Sequence, residues 1–171
     1  MNLQDNDFTL LGVPKRFALD AMVLDQQWKS LLRQIHPDKF ATDSSIAQRL
    51  SMQWSVRVNE AYQRLKSPLK RACYMCELAG VPIQAESNTS MPAHFLMQQM
   101  QWREDLDGAS TSGDLENLLA DVLAAQKECE ATVSNALDHE PAQPLLAAQT
   151  VRAWMFVDKF RQDVLRRINT L

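Results

Sequence analysis

Apolar residues in this chain recur at intervals of three and four, stretch after stretch, and a few sharp breakers separate the stretches. That spacing is the period of a helix with one buried stripe. Signals for strands are nearly absent: there are four glycines and few β-branched runs. The chain therefore reads as all-α.

The breakers set the element order. Phe8, Leu10 and Leu11 form a short first element, with Gly12 placed for a left-handed stop and Pro14 beyond it. Asp20 caps a second helix, and Leu19 and Leu24 flank that cap at staple positions. Leu24, Trp28, Leu31 and Ile35 make its buried stripe, while Lys29 and Arg33 fall on the other side. His36-Pro37 ends it, because proline disfavours a helical residue before it and lacks an amide donor.

Residues 37–44 read as a loop. Ser45 with Gln48 reads as a capping box for a third helix, whose core stripe is Ala47, Leu50, Trp54, Val58, Ala61 and Leu65. Ser67-Pro68 opens a fourth helix that stops at Gly80, with Pro82 after it. A polar, proline-flanked stretch over 81–91 reads as a linker. Helices over about 92–107, 113–138 and 145–170 follow, the middle one with Leu115, Leu118, Val122, Cys129, Val133 and Leu137 near heptad spacing. The expected organisation is a domain over 1–80, a linker over 81–91 and a three-helix bundle over 92–171.

Composition narrows the function. No stretch approaches a membrane span of ~20 apolar residues, and acids at Asp5 and Asp7 stand where a signal peptide would be basic and then apolar. Three cysteines are an odd number, suited to a reducing compartment; the expectation is a soluble, cytoplasmic protein. The net charge of −3 argues against a nucleic-acid partner. Residues 1–77 hold eleven Lys and Arg against eight Asp and Glu, and residues 78–171 hold seven against thirteen, so the halves carry +3 and −6. Two solvated surfaces of different composition account for this, as do two halves with different partners.

His36-Pro37-Asp38-Lys39-Phe40 lies between two amphipathic helices, the first with a basic outer face, and the third helix ends Asn59-Glu60-Ala61-Tyr62-Gln63-Arg64-Leu65. In that context the triplet resembles the working loop of a J domain. Asp7-Phe8-Thr9-Leu10-Leu11-Gly12-Val13-Pro14, Ser67-Pro68-Leu69-Lys70-Arg71-Ala72 and Phe95-Leu96-Met97 followed by Arg103-Glu104 narrow the resemblance to the HscB family of iron–sulfur cochaperones, over essentially the whole chain. The resemblance implies an N-terminal J domain followed by a C-terminal three-helix client-binding bundle. It implies binding of the iron–sulfur scaffold IscU, delivery to HscA, a chaperone of the heat-shock seventy class, and stimulation of that chaperone's ATPase. Gln101 and Gly108 depart from the family, which often carries acids there, so acidic help in gripping the scaffold is expected to be weaker.

His36, Pro37, Asp38, Lys29, Arg33 and Lys39 are the expected chaperone-binding residues. An enzyme built on His36 and Asp38 lacks a neighbouring nucleophile, a phosphate loop and a second carboxylate in the motif. A general J protein would carry a Gly/Phe-rich linker or zinc pairs, and this chain has neither. Cys73 and Cys76 form a lone pair well inside a helix, too few for zinc and not at the helix start that redox chemistry uses, so no metal or other cofactor is expected.

The helix over 92–107 carries two apolar stripes. With Leu96 at zero, Phe95, Trp102 and Leu106 lie near ~260°, and Leu96, Met100 and Met97 spread over ~0–100°. A small bundle buries one stripe and leaves the other for a partner, a role thioethers suit because they adapt to shape. Leu96, Met97, Met100, Gln101, Arg103 and Glu104, with Phe156 of the last helix as an extension, are the expected scaffold-binding residues.

Overall fold

The structure is a computed structural model that describes residues 2–36, 39, 44–84 and 91–170. Among the described residues there are seven helices and no strand: α1 (Asp7–Leu11), α2 (Ala21–Ile35), α3 (Ser45–Lys66), α4 (Pro68–Leu78), α5 (Ala93–Gly108), α6 (Ser112–Asp138) and α7 (Pro144–Ile168). They form two compact units, Met1–Tyr74 and Met75–Leu171.

In the first unit α2 and α3 pair as a hairpin, and α1 packs on both. Gly12 takes the left-handed conformation that ends α1 (φ 64°), and its N–H closes back on that helix. The Asp20 carboxylate accepts from the N–H groups of Met22 and Val23, satisfying two donors at the start of α2. Leu24 and Leu31 are buried, with Trp28 and Ile35 half-buried, so the stripe of α2 faces α3 as its spacing requires. Trp28 stacks on Tyr62 with ring centroids 4.1 Å apart and donates from Nε1 to Asn59 at 2.9 Å. Tyr62 in turn donates its hydroxyl to Asp25 at 2.7 Å. These polar ends fix the register of the hairpin, because a slip would strand them.

Two expectations for α3 need correction. Its cap is Ser44, whose hydroxyl accepts from the Ala47 N–H, and Ser45 is the first helical residue. Leu50, expected in the core stripe, is exposed, and Ser51 is buried in its place. At ~100° per residue Leu50 lies ~80° from Val58 while Ser51 lies ~20° from it, so the geometry favours the serine. Its hydroxyl remains satisfied by donating to the Ile35 carbonyl at the end of α2.

In the second unit α6 and α7 make the most extensive pairing and α5 packs on α6. Trp102, Leu118, Val122, Val157 and Val164 form a buried cluster, against which Phe95, Leu106 and Phe160 pack. Trp102 and Phe160 stack with centroids 5.5 Å apart. A capping box between Thr111 and Asp114 starts α6. The Thr111 hydroxyl, and then the N–H groups of Ser110 and Thr111, hold the Asp114 carboxyl below its ordinary value. Ile83 is buried, and Arg152 of α7 donates to its carbonyl at 3.2 Å, so this part of the stretch read as linker is fastened to the bundle.

Candidate functional site: a histidine-tipped basic helix and an exposed apolar stripe

His36 stands at the C-cap of α2 in extended conformation (φ −61°, ψ 130°), as the following proline dictates. Its side chain is exposed, and its carbonyl accepts from the Lys39 N–H at 3.0 Å. Pro37 and Asp38 lie outside the described residues. Lys29, Arg33 and Lys39 are exposed, and the Arg33 Nε donates to the Lys29 carbonyl at 3.3 Å. Lys29 and Arg33, one helical turn apart, thus share the outer face of α2, and His36 ends the same helix. Cations near a helix C-terminus also interact favourably with its unpaired carbonyls. Chemically the arrangement is a cationic, hydrogen-bonding surface suited to docking.

Ser51 is a positioning residue that the sequence reading missed. Its bond to the Ile35 carbonyl ties α3 to the residue before His36. The available signal was a small polar residue at a core register between Ala47 and Val58.

On α5, Leu96, Met97 and Met100 are 46 %, 70 % and 64 % exposed, against 3 % for Trp102 on the other side of the helix. Gln101 is exposed and donates to Asp105 at 2.9 Å, and Arg103 and Glu104 are exposed beside the stripe. These six residues fall within one broad face of one helix. Phe156 is carried separately, on α7, at 40 % exposure.

Cys76 is buried, and Cys73 and Cys129 are half-buried. Burial, with Glu128 next to it, pushes the Cys129 thiol up to about 11, which makes it a poor nucleophile at neutral pH. Among the described residues no three His, Cys, Asp or Glu side chains are grouped to hold a metal ion, and no helix is long and apolar enough to cross a membrane.

Comparison of the whole chain with known proteins points to one family. Residues 91–165 fit the family model described as the HSCB C-terminal oligomerisation domain. The chain is 47 % identical over 161 residues to the co-chaperone protein HscB homolog of Bordetella petrii, covering 94 % of each. It is 40 % identical over 169 residues to that of Ralstonia nicotianae, covering 98 % of this chain and 96 % of the other. Among solved structures, chaperone HscB from Vibrio cholerae superposes with a TM-score of 0.81 at 33 % identity, covering 95 % of this chain and 96 % of that one. Human co-chaperone protein HscB superposes with a TM-score of 0.93 at 25 % identity, covering 100 % and 86 %. The fold is accordingly an N-terminal J domain followed by a C-terminal helical bundle. With identity of this order along nearly its whole length, the chain belongs to the HscB family of co-chaperones.

Proposed function

We propose that this chain is an adaptor that binds the iron–sulfur scaffold IscU through its C-terminal bundle, brings it to the chaperone HscA and stimulates the chaperone's ATPase through its J domain. It performs no chemistry of its own and uses no cofactor, and its place of work is the cytoplasm. The observation that carries the reading is the exposed His36 at the tip of α2, beyond the exposed Lys29 and Arg33. An exposed histidine and two cations on one ordered helix serve recognition better than packing. The exposed Leu96–Met97–Met100 stripe supports the client half, since an apolar face left open in a small bundle fits a protein partner. The benefit to the reaction is effective concentration: one chain holds client and chaperone together while hydrolysis is triggered.

The test is His36→Gln assayed with purified HscA and scaffold. We expect an unchanged unfolding midpoint, retained scaffold binding and no ATPase stimulation. A folded variant that stimulates normally would refute the docking role. The description of the matched C-terminal region as an oligomerisation domain favours a second reading of the α5 stripe, as a contact between copies. Sedimentation of the chain alone and with scaffold separates the two: a stable dimer that scaffold leaves intact and unbound supports the second.

A further inference from the structure

Residues 78–171 hold thirteen acids and seven bases, yet four of those bases, Lys159, Arg161, Arg166 and Arg167, stand together near the end of α7. Two of the four are matched along the helix itself: Arg161 pairs with Asp158 at 2.9 Å, and Arg166 pairs with Asp163. Lys159 and Arg167 are exposed, and among the described residues neither has an ion-pair partner. Arginines in a last turn favour the helix dipole from any side of the helix. Arg167 stands on one particular side. Phe156, Asp163 and Arg167 fall within ~40° of one another on the helical projection, and Lys159 follows Phe156 by one turn.

Arg167 also lines a groove between the ends of α5 and α7, together with Leu106, Asp107, Asp163, Arg166 and Thr170. Its volume of about 510 Å³ is that of a ligand pocket. Small-molecule sites, however, enclose their ligand among mostly apolar groups, and four of these six residues are charged. Such a lining suits the side chains of a protein partner. Thr170 donates its hydroxyl to the Arg167 carbonyl at 2.9 Å, which closes the end of α7. Across the groove, Asp107 is exposed and lies within ~20° of both Leu96 and Met100 on α5. The groove therefore continues, toward the helix ends, the strip that runs between the α5 stripe and Phe156.

We propose that this groove is a charge-reading end of the client site, where Arg167 takes a carboxylate side chain of the same scaffold that covers the α5 stripe. It rests on the client reading given above and adds to it a polar contact at one end. The sign follows from the charges left open. Asp163 already offsets Arg166, so Arg167 and Lys159 remain against Asp107 alone. An acid on the partner is favoured by two cations and opposed by one carboxylate, while a base would meet the reverse. Asp107 thereby acts as a restraint: it shares the groove with Arg167 and lowers the gain from an incoming acid. Continuity with Phe156 on α7, and with Leu96 and Met100 on α5, makes the scaffold the occupant rather than a free anion or a second copy.

The test is a pair of opposite variants, Arg167→Gln, which keeps helix propensity and removes the cation, and Asp107→Asn, which removes the opposing acid. Scaffold affinity, unfolding midpoint and sedimentation are measured beside wild type, Lys127→Gln and Leu96→Ala/Met97→Ala/Met100→Ala. Lys127 is exposed on α6, outside the groove, and its loss changes the net charge by the same amount. We expect ~5-fold weaker scaffold binding by Arg167→Gln, the upper end for an exposed ion pair, and tighter binding by Asp107→Asn. Midpoints should stay at the wild-type value, Lys127→Gln should bind as wild type, and the Arg167→Gln deficit should shrink as salt rises. Wild-type affinity in Arg167→Gln, with the triple variant impaired, overturns the groove and leaves the α5 stripe standing as the client site. Normal binding by the triple variant removes both. Equal weakening by Lys127→Gln assigns the effect to net charge and refutes the proposal. A lowered midpoint in Asp107→Asn without a gain in affinity makes Asp107 and Arg167 an internal pair and refutes it as well. A wild-type dimer that Arg167→Gln dissociates, with scaffold affinity unchanged, makes the groove a contact between copies instead. If Arg167→Gln melts early, Asp107→Asn decides: tighter binding supports the proposal, and equal or weaker binding overturns it.

Discussion

Asp7 is the most demanding single residue in the N-terminal unit. Its carboxylate is fully buried, yet it meets the Arg57 guanidinium at 2.7 Å and the Arg64 guanidinium at 2.9 Å. Arg64 also lies over the Tyr74 ring, 4.7 Å from its centroid, and the Tyr74 hydroxyl accepts from the Asp7 N–H at 3.0 Å. The Asp7 side chain thereby ties α1 to α3, and its backbone N–H ties the same helix to α4. Removing one partner of a buried ion cluster leaves charge without compensation, whereas trimming a half-exposed partner does not. Asp7→Ala should destabilise the protein by about 2–4 kcal/mol, toward the lower end because both guanidiniums retain access to water. Denaturant titration checks this; a loss under about 0.5 kcal/mol, the scale of ordinary surface changes, would make the cluster neutral. None of this was legible in the sequence, where Asp7 was one acid in a short motif. Arg64 stands 57 positions away, and periodicity reports only on neighbours one or two turns apart. His36, by contrast, was legible because Pro37 acts locally on it.

Among the elements, α5 is the one whose two faces the spacing resolved best. Trp102 is buried, and Phe95 and Leu106 are half-buried against the same cluster. Leu96, Met97 and Met100 remain open. Truncating all three to alanine should leave the unfolding midpoint nearly unchanged. Scaffold affinity should fall, each side chain costing on the order of 1–2 kcal/mol where it is a central anchor. Trp102→Ala should instead destabilise the bundle by ~3 kcal/mol or more, since it opens a large cavity. Calorimetry and a scaffold titration on both variants decide the matter; a triple variant that unfolds early but still binds scaffold would place the stripe in the core. The start of α3 shows where spacing alone fails. Ser44 and Ser45 offer the same capping hydroxyl, and only the backbone turn out of the loop selects Ser44. Leu50 fits a spacing of threes and fours, yet the accumulated rotation carries it away from the core side of α3. The box at Thr111 and Asp114 escaped notice because its acid is the shorter Asp, where the familiar pattern has Glu or Gln.

At the scale of the whole molecule, the division of charge and the division of structure nearly coincide. The first 77 residues carry a net of +3 and the remainder −6, while the compact units divide after Tyr74. Fastening of Ile83 by Arg152 was beyond the reach of composition, which sees a polar, proline-flanked stretch as a spacer and cannot see a long-range carbonyl contact. The charge division nevertheless carries a physical consequence for the two proposed partners. Lys29 and Arg33 are exposed on α2, and neither takes part in the ion pairs that hold the first unit together. Lys29→Ala/Arg33→Ala should therefore keep the unfolding midpoint within about 0.5 kcal/mol of wild type, as surface changes generally do. Exposed cations act chiefly on encounter, so the variant should associate more slowly with the chaperone at low ionic strength. The difference should shrink as salt rises, because the Debye length falls from ~10 Å at 0.1 M to ~3 Å at 1 M. Scaffold binding, assigned to the acidic bundle, should not change in the same variant. Stopped-flow association with each partner across ionic strength reads both rates in one series. A chaperone rate that ignores salt and is equal in variant and wild type would reduce Lys29 and Arg33 to solvated surface. An equal slowing toward both partners would mean that net charge, rather than this face of α2, governs the encounter.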